Sequence, residues 1–137
     1  MTTNSEKKSK RLKIQSGSKW EDTVGYSRVV KANNIVEVSG TTAIDENGDI
    51  VGRGDPYLQT KYIIQKIETY LHKAGASLND VVRTRMFVTD IDRWEEVGKA
   101  HGEFFKSIKP AASLLEVNRL IDPNLLVEIE VTAIITD

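Results

Sequence analysis

Cysteine is absent from all 137 residues, which excludes disulfides, thiolate nucleophiles and Cys-ligated zinc and fits a reducing compartment. Histidine is scarce as well. His72 and His101 are the 2 present, each alone on a helical segment without a second ligand at metal spacing, so neither a metal nor a cofactor is expected. Neither sign of charge dominates: 19 basic and 20 acidic residues leave a formal charge of −1, too little to draw the chain onto nucleic acid or a membrane. No apolar run approaches the ~18 residues that span a bilayer, and the first residues hold no hydrophobic stretch to serve as a signal, so a cytoplasmic location is expected. Gly48, Gly52 and Gly54 are not followed by the lysine-threonine pair of a phosphate loop.

What is present is enough for one domain with a core of its own. Residues 1–13 carry Lys7, Lys8, Lys10, Arg11 and Lys13 against Glu6, the composition of a flexible, solvated basic arm. The single domain is expected over residues 14–137. Its β-rich runs Ser27–Ala32 and Ile35–Thr41 meet at Asn33-Asn34, residues that tolerate the left-handed conformation of a tight hairpin. Asp55 and Pro56 read as the cap and first turn of a helix. Ile63, Ile64, Ile67, Tyr70, Leu71 and Ala74 then recur at helical spacing until Gly75. Val81–Val88 reads as a strand. Ile91, Trp94, Val97, His101, Phe104, Phe105 and Ile108 form the stripe of a second helix ended by Pro110, and Trp94, Phe104 and Phe105 are expected in the core. Ser113–Val117 and Leu126–Ile135 supply two more strands. The fold class is α+β, an antiparallel or mixed sheet with two helices on one face.

Alternation along these strands sends Arg83, Arg85, Glu116, Glu128 and Glu130 away from the helices. Two readings stand for that charged face. One is a solvated sheet whose cross-strand ion pairs are each worth at most about 1 kcal/mol. The other is a subunit interface, because Phe87 and Leu114 share the face and would be left in water on a monomer.

Four blocks, taken together, carry a resemblance. Gly25-Tyr26-Ser27-Arg28-Val29-Val30, Val38-Ser39-Gly40, Val81 to Asp90, and Pro110-Ala111-Ala112-Ser113 with Val127-Glu128-Ile129-Glu130 resemble the Rid/YjgF family from about Trp20 to Ile135. The resemblance implies a chorismate-mutase-like fold and a homotrimer with a central barrel. It also implies a small-molecule ligand in each of three clefts between subunits. Deaminating members hydrolyse a reactive enamine or imine such as 2-aminoacrylate, using an arginine to hold the substrate carboxylate and a glutamate to handle water. Carried onto this sequence, the ligand-binding positions are Tyr26 and Gly40, and the catalytic ones Ser113 and Glu130. The arginine position is Ala112, and a position often cysteine is Leu114, so this is a divergent member with a more apolar cleft.

Losing a charge-assisted hydrogen bond costs ~1.5–3 kcal/mol, enough to change the substrate. Arg85, Arg28 or Arg119 could replace the missing arginine, and the sequence does not choose among them. Glu130 has two readings, a general acid/base or an interface carboxylate paired with Arg83 or Arg85. Tyr26 either orients a ligand or packs the first hairpin, and Trp20 is expected to fold over the cleft mouth. Three functions follow: an enamine/imine hydrolase with an altered substrate, a non-catalytic trimer that binds a metabolite, and an endoribonuclease or translation inhibitor. The last has only the basic arm behind it.

Overall fold

A computed structural model describes residues 11–136. Its elements run β1 (Arg11–Ile14), β2 (Val29–Ala32), β3 (Ile35–Thr42), α1 (Pro56–Lys73), β4 (Val81–Val88), α2 (Trp94–Phe105), β5 (Ala111–Glu116) and β6 (Val127–Ile134). They form one 6-stranded sheet in the order β1-β2-β3-β6-β4-β5. Neighbours are antiparallel except β4 and β5, which run parallel and are joined through α2. The sheet is therefore mixed, with α1 and α2 packed on each other and on one side of it. No helix among the described residues is long and apolar enough to cross a membrane.

Local chemistry sets several boundaries. Asn33 turns the first hairpin with φ 55°. The Asp55 carboxylate accepts the Leu58 N–H at 3.0 Å and caps α1, with Pro56 in the first turn, where its missing N–H is harmless. Gly75, at φ 80°, releases the chain after α1. Ile63, Ile64, Ile67 and Leu71 then bury α1 against Val36 and Val38 of β3 and Val127, Ile129, Val131 and Ala133 of β6. At about 1.5–3 kcal/mol per fully buried aliphatic side chain, this seam is a principal source of stability.

Gln59 is fully buried in the first turns of α1. Its amide nitrogen donates to the carbonyls of Gly52 at 3.2 Å and Asn124 at 2.9 Å, and its oxygen accepts the Leu126 N–H at 2.8 Å. One side chain thus ties the loop before α1 to the loop before β6.

Four expectations need correction. Arg11–Ile14 is a strand paired with β2 and not part of a solvated arm; residues 1–10 lie outside the described residues. Trp94 is 52% exposed and rests near Gly98. It stands in the first turn of α2, just after the short 3-10 turn Ile91–Arg93, and the core stripe is kept by Val97, Ala100 and Phe105. Strict alternation with Arg83 and Arg85 would turn Val82 toward the helices, but it stands exposed where Val81 and Arg83 pair with the adjacent residues Ala133 and Thr132. The extra residue is a bulge, and the alternation resumes after it with Thr84, Met86 and Val88 inward. Leu114 and Glu116 are not on the charged face either. Parallel pairing places them beside Met86 and Val88, so Leu114 packs against the core and Glu116 accepts the Ile91 N–H at 3.0 Å.

Candidate functional site

β3 is irregular where it passes Glu130. Val38 stands opposite Val131 and Thr41 opposite Ile129, so Ser39 and Gly40 together face the single residue Glu130. Such a bulge bends the strand and re-aims its neighbours. Here it is pinned from below: the Ser39 N–H donates to the Arg28 carbonyl at 3.0 Å and its hydroxyl to the Ser27 carbonyl at 2.6 Å. The Arg28 guanidinium donates to the Gly40 carbonyl.

The missing side chain at Gly40 is what admits Glu128. A methyl group there would lie 2.4 Å from Glu128 Oε2 and 3.0 Å from its Cδ, so the carboxyl group rests directly on the glycine. Burial pushes the Glu128 carboxyl above its ordinary range; Arg28 opposes that rise and Glu130 adds to it. Glu130, two residues along β6, points to the same side and pairs with Arg85 across the strands, Nε to Oε1 at 3.8 Å. With these side chains 42% and 39% exposed, the pair orients more than it stabilises.

Glu130 separates two depressions on the open face. The smaller, about 190 Å³, is lined by Val30, Glu37, Ser39, Arg85, Glu130 and Thr132 among others. The larger, about 340 Å³, holds Gly40, Phe87, Arg119, Leu120, Glu128 and Glu130. It is at the lower end of the roughly 300–1,000 Å³ typical of small-molecule sites. Its walls are apolar at Phe87, Val117 and Leu120, with two carboxyl groups and one guanidinium converging on them.

Residues 17–135 match the family described as Endoribonuclease L-PSP. The chain belongs to this family, also called Rid/YjgF. A Mycobacterium tuberculosis structure, described as a member of the highly conserved YjgF/YER057c/UK114 family, superposes with a TM-score of 0.82 at 46% identity, covering 91% of this chain and 99% of that one. An uncharacterized Streptomyces coelicolor protein is 40% identical over 88% of this chain and 90% of its own. A 3-aminoacrylate deaminase from Acinetobacter baylyi is 36% identical over 76% of this chain and 82% of its own.

Within this Rid/YjgF chain, the expected site residues divide. Gly40 and Glu130 meet at the bulge, with Arg85 bound to Glu130. Ser113 lies on the same side of the sheet, opposite Arg85, but its hydroxyl accepts from Arg83 Nη2 at 3.0 Å and it lines neither depression. Tyr26, half-buried at the end of the short turn Glu21–Gly25, lines neither. Ala112 pairs with Thr84 and, like Leu114, belongs to the helix side, so one chain does not bring position 112 to Glu130. Trp20 is 52% exposed with the Lys19 ammonium 5.2 Å from its ring, and it does not line the larger depression.

The three replacement arginines also separate. Arg28 is engaged with Gly40 and Arg85 with Glu130, whereas Arg119 lines the larger depression. Among the described residues, no three His, Cys, Asp or Glu side chains are grouped to hold a metal ion. His101 sits behind the sheet, its Nε2 2.9 Å from the Thr84 hydroxyl and its ring 4.6 Å from that of Phe105. Burial pushes its imidazole below the ordinary value.

Sequence reasoning noticed Glu128 only as one of several face charges. Its spacing of two from Glu130 was legible, but the bulge that sets Gly40 beneath it was not. Lys66 was missed outright. Its ammonium donates to the Ile44 carbonyl at 2.8 Å and approaches that of Thr42 at 3.4 Å, bracing the chain just after the bulged strand. Burial lowers its affinity for the proton, Arg28 lowers it further, and Asp45 partly offsets both.

Proposed function

We propose that this Rid/YjgF protein hydrolyses an enamine or imine metabolite to a carbonyl compound and ammonia, and that the substrate is not 2-aminoacrylate. The observation that carries the reading is the convergence of Gly40, Glu128 and Glu130 on one small-molecule-sized depression. An imine carbon is intrinsically open to water and needs chiefly a positioned general acid or base. Glu130 is the group assigned to the water. The name of the Acinetobacter baylyi relative, a 3-aminoacrylate deaminase, supports the reaction class.

Substrate preference follows from what lines the walls and from position 112, which only a neighbouring subunit of the proposed trimer could bring to them. Alanine at position 112 removes one charge-assisted hydrogen bond worth ~1.5–3 kcal/mol, or roughly 10- to 100-fold in binding. Arg119 is the cation left facing the depression, against two glutamates. The preferred imine therefore lacks a carboxylate. The same reading has the chain assemble as a homotrimer that covers the open face, where Leu115, 47% exposed, adjoins Phe87. A monomer in light scattering would remove that part.

The test is ammonia release from freshly generated imines, including 2-aminoacrylate, 3-aminoacrylate and imines without a carboxylate. Turnover concentrated in the last group is expected, and no ammonia from any of them overturns the reading. A second reading, metabolite binding without turnover, draws on Ala112 and predicts calorimetric binding with no ammonia.

A further inference from the structure

Resting on the hydrolase reading above, we propose that Arg119 sets the specificity of the larger depression by donating to an uncharged carbonyl oxygen, so that the substrate is an enamine or imine that also carries an amide or ketone group.

The fold holds Arg119 at this wall from both ends of its loop. At the start, the Val117 N–H donates to the Val88 carbonyl at 2.8 Å, which extends the β5 pairing one residue past the strand. At the far end, the Asn124 N–H donates to the Asp122 carboxylate at 2.8 Å and the Thr89 N–H to the Leu126 carbonyl at 3.1 Å, while the buried Gln59 amide holds both Asn124 and Leu126. Only the stretch from Asn118 to Ile121 bridges these anchors. Its half-buried Leu120 lines the depression together with Arg119, and Ile121 stands 83% exposed.

Arg119 also has donors to spare. The other arginines of this face are committed: Arg28 donates to the Gly40 carbonyl, Arg83 to the Ser113 hydroxyl, and Arg85 pairs with Glu130. Among the described residues the ion pairs are Arg85 with Glu130 and Arg93 with Glu96, so no carboxylate there lies within salt-bridge reach of Arg119. Its exposed guanidinium is left to water until a ligand replaces that water.

A guanidinium carries donors and no acceptor, so what it reads is an acceptor atom, and its planar fork suits an oxygen with in-plane lone pairs. Charge decides which oxygen. Glu128 and Glu130 line the same depression, and a substrate carboxylate would compete with both for one cation and lie beside like charge. A neutral carbonyl oxygen meets no such repulsion. Conjugation strengthens it further, because an enamine nitrogen pushes electron density through the C=C bond onto that oxygen. Phe87, Val117 and Leu120 then cover the carbon skeleton.

Three enamines of one skeleton test this on the intact protein: 3-aminoacrylamide, 3-aminoacrylate and 1-aminopropene, which carry a carboxamide, a carboxylate and a methyl group. Each is generated fresh, and ammonia release is corrected for the spontaneous reaction. The unmodified protein is expected to prefer the carboxamide. Arg119→Met, which keeps the length and apolar stem, is expected to lose about 10-fold or more in kcat/KM on the carboxamide, mainly through KM, the low end for a charge-assisted hydrogen bond. On 1-aminopropene it should change little. Arg119→Lys should recover part of the carboxamide rate, because a point charge donates without the fork. Unchanged urea melts are expected for both variants, since the side chain has no partner to lose. Equal losses on carboxamide and methyl enamines, no loss on the carboxamide, or a parent preference for the carboxylate overturns the proposal while leaving the hydrolase standing. No ammonia from any enamine or imine with the unmodified protein is a separate result, and it overturns the hydrolase reading together with this one.

Discussion

Substituting Gly40 by alanine tests the site without touching either glutamate. The new Cβ would lie 2.4 Å from Glu128 Oε2. Ordinary contact begins near 3.4 Å, so the carboxyl group must retreat by about 1 Å, a displacement able to cost ~10²-fold in rate when it misplaces a reacting group. Folding should suffer little. The atom that must move is the end of a flexible side chain, which puts the overpacking penalty near the lower end of the range, at about 1 kcal/mol. Pushed outward, the carboxyl group also regains water, so its pKa should fall back toward the ordinary carboxylate range. Steady-state ammonia release and urea melts on Gly40→Ala measure both effects. The double variant Gly40→Ala/Glu128→Gln should be no slower than Glu128→Gln alone, because both changes act on one group. Gly40→Ala with activity within a few-fold of the parent, or rate losses that multiply in the double variant, would refute the reasoning.

Other consequences follow from the scaffold. Gln59→Leu leaves the part-buried Leu126 N–H and the Asn124 and Gly52 carbonyls without their partner; at the low end of ~1–3 kcal/mol per orphaned group, a loss of about 2–3 kcal/mol should appear in urea unfolding. Asp55→Ala removes the cap on Leu58 N–H and should cost ~1 kcal/mol by the same measurement. His101 is held below the ordinary imidazole value of 6.5 by burial, so the unfolded chain binds that proton first. Its contribution to stability is complete above the ordinary value and is lost as pH falls below it, until the folded protein is protonated too. His101→Gln should flatten the fall in urea midpoint across that window.

Sequence pattern reached those parts of the fold that local chemistry decides. Asp55-Pro56 starts α1 where capping rules place it, and Val127, Ile129, Val131 and Ala133 alternate inward along β6 as their spacing implies. It failed where pairing decides. Arg11–Ile14 looks like solvated chain because an edge strand with largely exposed side chains needs no apolar alternation. Leu114 and Glu116 fall on the opposite side from the one their spacing suggests because the phase of β5 is set by its parallel partner β4, not by its own composition. Gln59 resembles any surface residue of a helix until the loops it joins are brought together. At the site, Gly40 and Glu130 were reached through their resemblance to a family pattern. The place of Glu128 over Gly40 was hidden because a bulge, one residue gained between Val38 and Thr41, is invisible to a count of alternating faces.

Position 112 leaves β5 on the helix side, and Glu130 leaves β6 on the opposite side. A chain with a working group at each position would need two copies to complete one site, so chains defective at 112 and chains defective at Glu130 could rebuild an intact site when mixed. With alanine at 112, the carboxyl groups that line the larger depression come from a single strand of a single chain. In mixed assemblies of parent and Glu130→Gln chains, activity should then fall in simple proportion to the fraction of altered chains, each site failing alone.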